Sequence, residues 1–113
     1  MQVVSTPITR DELRRMIGAR FGDFVKAVVD VQRGMMAVGG DLHADEEALL
    51  LQQGARQADL WGINLYPDKV GTDFIEFDSM INVRPSQGNR SRGVDDTAMQ
   101  RLIRDIVGRL VSQ

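Results

Sequence analysis

The last part of the chain has apolar residues at alternating intervals of three and four, and this spacing constrains the fold most. It places seven apolar side chains on one stripe of an α-helix: Met99, Leu102, Ile103, Ile106, Val107, Leu110 and Val111. Arg101, Asp105 and Arg109 occupy the other side as pairs four residues apart, as on a solvated face. Asp95 or Asp96 is expected to cap this helix. Such a helix packs against a second layer of the domain.

Two pairs of strands precede this helix. Residues 24–31 (FVKAVVDV) are rich in valine, and a short turn ending at Gly34 connects them to a partner strand at 35–38. Residues 60–66 (LWGINLY) and 74–83 are the third and fourth strands, and the fourth shows a long alternation of apolar and polar residues. Val3 and Val4 are expected to add an edge strand. The pattern therefore predicts two antiparallel hairpins.

Two more helices complete the predicted order. Thr9 and Glu12 form a capping box for a helix from about Arg10 to Arg20. A second helix is expected from about Ala44 to Gln53, with acidic residues in its first turn and three consecutive leucines that indicate a well-buried helix. The order α-ββ-α-ββ-α predicts one α+β domain over residues 1–113, with a four- or five-stranded, mainly antiparallel sheet and three helices on one face. The two ββα halves also fit a degenerate duplication.

Composition excludes several classes of protein. The chain has 113 residues with a formal charge of −2, which argues against binding nucleic acid through a general excess of positive charge. It has no cysteine, which excludes disulfides and thiolate catalysis. No run approaches the roughly 18 apolar residues of a membrane span. The N-terminus also lacks a signal-peptide pattern, so we expect a cytoplasmic protein without a membrane partner.

Residues 82–96 (NVRPSQGNRSRGVDD), hereafter the arginine loop, are the strongest candidate for a binding site. Arginine presents a planar fork of donors that fits a carboxylate or phosphate, and glycines let backbone amides approach an anion. The loop therefore predicts a small anionic ligand or partner. Asp95 and Asp96 would repel an anion at the following helix, and no Gly-Lys-Ser/Thr ending is present. The side chains expected to contact the ligand are Arg84, Ser86, Asn89, Arg90, Ser91 and Arg92.

Other interpretations of these residues remain open. The three arginines would equally pair with the acidic segment 41–47 and join two connections of the domain. In that segment a lone His43 stands among carboxylates, which permits a metal or general base, although first-turn helix residues explain the acidic side chains as well. A small hydrolase acting on a phosphorylated or acidic metabolite is the alternative function, with an arginine clamp and His43 or Asp78 as base. No motif specifies a cofactor.

Alternation along the strands predicts an open polar side of the sheet. Its expected members are Lys26, Asp30, Asn64, Tyr66, Glu76, Asp78, Asn82 and Arg84. This side is either a solvated surface with cross-strand ion pairs or a shallow interface in which Phe74, Tyr66 and Met80 supply apolar contacts. We expect a homo-oligomer, and a non-enzymatic binding or interaction protein is the leading hypothesis.

Four strings in the chain resemble a known family: RFGDFVKAVVD, GGDLHADEEALL, WGINLYP and IEFDSMINVRPSQGNRSRGVDD. The chain is similar, over nearly its whole length, to small prokaryotic proteins catalogued as a domain of unknown function. Residues 77–95 are the most distinctive part. The resemblance implies a stand-alone bacterial or archaeal protein, and it implies no activity, cofactor or site residue.

Overall fold

A computed structural model describes residues 1–17 and 22–112. Five strands form a wholly antiparallel sheet in the order β1-β4-β3-β5-β6, and two short strands, β2 and β7, pair in parallel. The predicted α+β class is confirmed, and the order of helices and hairpins broadly matches. The elements are β1 Gln2–Val4, β2 Ile8–Thr9, α1 Arg10–Arg15, β3 Val25–Asp30, β4 Met35–Val38, α2 His43–Gln52, β5 Leu60–Leu65, β6 Ile75–Glu76, α3 Thr97–Leu110 and β7 Val111–Ser112.

The first hairpin forms as its sequence predicts. Gly34 takes a φ of 65° in the turn, a conformation that glycine adopts without steric cost. The edge strand expected at Val3 and Val4 is also present, because β1 pairs antiparallel with β4. β3 therefore lies at the centre of the sheet, between β4 and β5.

Local capping sets the start of two helices. The Thr9 hydroxyl accepts a hydrogen bond from the Glu12 amide at 3.1 Å, as the capping box predicts. Of the two aspartates expected to cap α3, Asp96 is the cap and accepts from the Ala98 amide at 2.9 Å. The first helix was expected to run to Arg20, but α1 ends at Arg15 with Met16 as its C-terminal cap, so it is shorter than predicted; Arg20 itself lies outside the described residues.

Helices cover both faces of the sheet, and the prediction that they share one face was wrong. α1 and α3 pack on the main core, which includes Val29, whereas α2 packs on the opposite face over Val28 and Ala37. The reason is visible in β3, where adjacent apolar residues point to both sides and require cover on each. α2 itself is only half-buried, since Leu51 is 40% exposed.

The prediction of an open polar side of the sheet was also wrong, because helices cover both faces. Asp30, Asn64, Asn82 and Arg84 are buried there. Phe74, expected as an apolar contact on that side, belongs to the main core instead.

The long fourth strand is replaced by a short one. β6 contains two residues, and a 3₁₀ turn at Met80–Asn82 takes the place of its continuation. The Asn82 side chain completes the pairing, because it accepts from the Gly62 amide at 2.8 Å and donates to the Gly62 carbonyl at 2.9 Å. Gly62 permits this approach, since a Cβ there would lie 2.5 Å from the Ser79 Cβ. A side-chain amide thus substitutes for a strand backbone at the edge of β5.

Candidate functional site

Arg84 is buried, and its guanidinium bonds to the protein itself. It donates to the carbonyls of Gln57 at 2.7 Å and Ile81 at 3.1 Å and to the Leu60 carbonyl, and it lies 4.5 Å from the centre of the Trp61 ring. Burial lowers the pKa of Arg84 from its ordinary value. Arg84 therefore connects the arginine loop to the start of β5.

Asn89 is also buried, and it holds the arginine loop closed. Its side-chain amide donates to the carbonyls of Asn82 at 2.7 Å and Gly93 at 2.9 Å, and its oxygen accepts from the Asp95 amide at 2.8 Å. Its backbone pairs with Arg84 in an isolated antiparallel bridge. These bonds satisfy buried backbone groups that a loop would otherwise leave unpaired.

The loop binds an anion that belongs to the chain itself. The Asp95 carboxylate accepts from the Arg90 amide at 3.0 Å and from the Ser91 hydroxyl. These bonds, the one from Ser91 foremost, hold the pKa of Asp95 below its ordinary value. The groups that the sequence assigned to a ligand anion are thus partly occupied by the aspartate expected to repel it.

Four of the predicted contacts are on the surface: Ser86, Arg90, Ser91 and Arg92. Arg92 donates to the Asp78 carboxylate at 2.7 Å. One interpretation paired the arginines with the acidic segment 41–47, but Arg84 bonds to the carbonyls of Gln57, Leu60 and Ile81, and Arg92 pairs with Asp78. Glu47, in the acidic segment, acts on Arg84 only through its charge.

A polar cluster surrounds His43 on the α2 side of the sheet. His43 donates from Nε2 to the Ile63 carbonyl at 2.8 Å, so Nδ1 carries the lone pair of the neutral ring. Burial lowers the pKa of His43. Asp78 acts on His43 through its charge and forms an ion pair with Arg92. The Arg84 guanidinium bonds to backbone carbonyls outside this cluster.

A cavity with a volume of about 450 Å³ opens beside the start of α2. We call it the α2 cavity. Its walls combine apolar side chains with two carboxylates and one amide, a mixture typical of small-molecule sites. The lining residues are Met1, Gly39, Gly40, Asp41, Asp45, Ala48, Leu49 and Gln52.

Glu46 is fully buried and does not line the α2 cavity itself, but it contacts Gly40, which does. Its Oε2 accepts from the Gly40 amide at 2.9 Å, whereas Oε1 is buried and has no hydrogen-bond partner within residues 1–17 and 22–112. A Cβ at Gly40 would lie 2.9 Å from the Glu46 Cγ and 3.0 Å from the Met1 sulfur, so the chain passes directly over this side chain. Burial raises the pKa of Glu46 to about 9, and the carboxyl is therefore protonated at neutral pH.

The sequence interpretation missed Glu46 because it placed this residue among solvated first-turn carboxylates. The signal was its spacing, since His43, Glu46 and Leu50 follow one another at three and four residues and are the buried positions of α2. No group of three or more potential metal-ligating side chains close enough to hold an ion occurs in the described part of the chain.

These features define a small α+β fold with an antiparallel sheet covered on both faces and a buried carboxyl that contacts a residue of the α2 cavity. The chain belongs to the family described as Protein of unknown function (DUF5674), whose model matches residues 2–110. This confirms the resemblance to a family of unknown function. No curated protein and no solved structure matches the chain. None of the helices within the described ranges has the length and apolar character needed to cross a membrane.

Proposed function

We propose that this protein is a non-enzymatic binding module that takes a small organic cation in the α2 cavity. One observation carries the proposal: the buried Glu46 carboxyl has an oxygen without a partner, and its other oxygen bonds to Gly40, a residue that lines the α2 cavity. A strongly raised pKa in a concave site is a recognised indicator of function. The energetic cost of burying this carboxyl is offset if a ligand supplies the missing interaction.

The charge of the cavity favours an amine or amidine. Asp41 and Asp45 line it, and Glu46 adds a third, buried carboxyl behind Gly40. A bound cation favours the ionised form of a nearby carboxyl, so the ligand would lower the pKa of Glu46 and release its proton. Ala48 and Leu49 would contact the apolar part of the ligand.

Calorimetry tests this proposal through the released proton. Butylamine and benzamidine are titrated at about pH 8 in two buffers of different ionisation enthalpy, with butanol and benzamide as neutral counterparts. We expect the cations to bind with release of about one proton, because Glu46 is mostly protonated below its pKa of about 9. Glu46→Gln should abolish the proton release and weaken binding about tenfold or more.

Asp105→Asn, on the exposed side of α3, is the control and should bind as the parent protein does. Equal binding of amines and their neutral counterparts would refute a cation site. Unchanged proton release in Glu46→Gln would show that Glu46 is not the group involved.

The anionic ligand of the arginine loop stays a separate prediction. Its exposed donors are Ser86, Arg90, Ser91 and Arg92, and Arg92 already pairs with Asp78. Titration with sulfate and inorganic phosphate should protect the protein against thermal unfolding if the prediction holds. The variant R90A/R92A should then lose this protection.

A hydrolase is the second candidate, favoured by a neutral His43 on which the charge of Asp78 acts. Its Nδ1 lone pair suits a general base. The test is hydrolysis of p-nitrophenyl phosphate and p-nitrophenyl acetate as a function of pH. An enzyme would lose its activity in His43→Gln, and equal rates for both proteins would exclude His43 as the base.

The expected homo-oligomer also remains a proposal. Leu51, Met80 and Val83 are exposed apolar side chains, and α2 packs against the Met80–Asn82 turn. Light scattering of the parent protein and of Met80→Glu measures whether association depends on this surface.

A further inference from the structure

A second cleft, distinct from the α2 cavity, combines two arginines with an apolar floor. It has a volume of about 180 Å³. It lies on the α1 and α3 side of the sheet. Its lining residues are Arg10, Gly71, Phe74, Ile75, Arg104, Val107, Gly108 and Val111. We propose that this cleft binds the carboxylate of a short-chain organic acid.

Arg104 supplies the strongest argument. Its guanidinium carbon lies 5.0 Å from the centre of the Phe77 ring. Its Nε is buried without a hydrogen-bond partner, and no described carboxylate forms an ion pair with it. A guanidinium donates two parallel hydrogen bonds to a carboxylate, so such a ligand would satisfy this donor.

Arg10 adds a second fixed positive charge. One of its terminal nitrogens donates to the carbonyls of Pro67 at 2.9 Å and Lys69 at 3.0 Å. Its guanidinium carbon lies 4.1 Å from the centre of the Phe74 ring. These contacts hold the charge in place before a ligand arrives, which reduces the entropic cost of binding. The C-terminal end of α3 carries a partial negative charge that disfavours an anion. The positive charges of the two arginines together offset it.

Gly108 keeps the cleft open. Residues 104, 107, 108 and 111 fall on one side of α3 and its continuation, since they are three, four and seven positions apart. A Cβ at position 108 would meet no atom within 4 Å, so packing does not require glycine there. Alanine is the better helix former, and the consequence of glycine is space beside Arg104.

The size and the walls of the cleft select the ligand. Its volume is that of about six water molecules at about 30 Å³ each, which matches an acid such as butanoate. Ile75, Val107 and Val111 would contact the aliphatic tail. Inorganic phosphate has no apolar part and would leave this surface uncovered.

Solution NMR tests the proposal, with butanoate as the probe and butanol, butylamine and inorganic phosphate as comparisons. We expect butanoate to shift the Arg104 Nε–H and Gly108 amide signals saturably. Arg104→Gln should weaken this binding about tenfold or more, because it removes a charge-assisted pair of hydrogen bonds. Gly108→Leu, which fills the cleft from an exposed position, should abolish it while the remaining spectrum stays folded.

Arg101→Gln, on the solvated side of the same helix, is the matched control and should bind butanoate unchanged. Glu46→Gln should also bind it unchanged, which separates this site from the α2 cavity. Equal affinity for butanoate in Arg104→Gln, or in Gly108→Leu, would overturn the proposal. So would equal binding of butanol or of phosphate at the same signals.

Discussion

The arginine loop and the α2 cavity contrast in how their polar groups are used. The loop is dense in arginine, serine and asparagine, and yet Arg84, Asn89 and Ser91 bond to neighbouring groups of the chain itself. The start of α2 resembles an ordinary acidic helix N-terminus, and yet Glu46 is buried there with an unpartnered oxygen. The segment that looks suited to a ligand is largely satisfied, whereas the plainer segment is not.

This contrast shows that the density of hydrogen-bonding groups does not by itself identify a site. An irregular segment that covers a sheet must satisfy its own backbone, and polar side chains serve that purpose first. A buried group left without a partner is the rarer observation and costs free energy. It therefore discriminates better between structural and ligand-binding roles.

The largest effect expected from a substitution is at Asn82. Asn82→Ala would leave the Gly62 amide and carbonyl unpaired in the interior, and each orphaned group costs about 1–3 kcal/mol. We expect the free energy of unfolding to fall by about 3–5 kcal/mol, measured by urea denaturation. Ser86→Ala, at an exposed position of the same loop, should change it by less than about 0.5 kcal/mol. A loss below about 1 kcal/mol at Asn82 would contradict the structural role of the loop.

The arginines of the loop should divide into two groups. Arg84→Ala removes bonds to three carbonyls and the contact with Trp61, and we expect a loss of about 2–4 kcal/mol. R90A/R92A should cost less than about 1 kcal/mol, because an exposed ion pair contributes little. Thermal and urea unfolding of both variants measure the difference. Comparable losses in the two variants would show that the exposed arginines are structural as well.

The pH dependence of stability tests the α2 cavity. The pKa of Glu46 is raised in the folded state from 4.5 to about 9, so the folded protein binds more protons than the unfolded chain between these values. Stability should therefore fall as pH rises through this window, by up to about 1.4 kcal/mol per pH unit, and level off above the folded pKa.

Glu46→Gln should lack this component, and the comparison is cleanest between about pH 7 and pH 9. His43 is neutral there, since its lowered pKa confines its titration to lower pH. Urea unfolding of both proteins across this range gives the two slopes. Parallel slopes would mean that Glu46 ionises normally in the folded protein.

The sequence predicted what local periodicity determines. The stripe on α3, the turn at Gly34 and the cap at Thr9 each depend on residues close together in the chain, and the turn and the cap formed as expected. The stripe formed in part, since Ile103, Ile106, Val107 and Leu110 are buried, whereas Leu102 is exposed and Val111 belongs to β7. The end of the fourth strand did not form as expected, because Asn82 pairs with Gly62 twenty positions away. The periodicity of a segment does not show that one of its side chains will take the place of a strand in pairing with a distant residue.

The candidate sites were harder to predict for the same physical reason. Whether Glu46 is solvated depends on Gly40 and Met1, which the fold brings over it. The cleft at Arg104 is formed by α3 together with residues near 10 and 74, and no sequence motif predicts that these residues lie close together. Burial and unsatisfied groups are tertiary properties, so the sequence could name candidate residues without ranking them.

The smallest effect should have the opposite sign and concerns two glycines. Gly108→Ala places a Cβ in open space within a helix, so we expect stability to rise by about 0.5–1 kcal/mol. Gly62→Ala forces a Cβ to within 2.5 Å of Ser79 and should destabilise the protein. Differential scanning calorimetry of both variants measures the two signs. If Gly108→Ala is more stable and binds butanoate more weakly, then this glycine serves the cleft rather than the fold. If Gly108→Ala is less stable, then the glycine is required for packing.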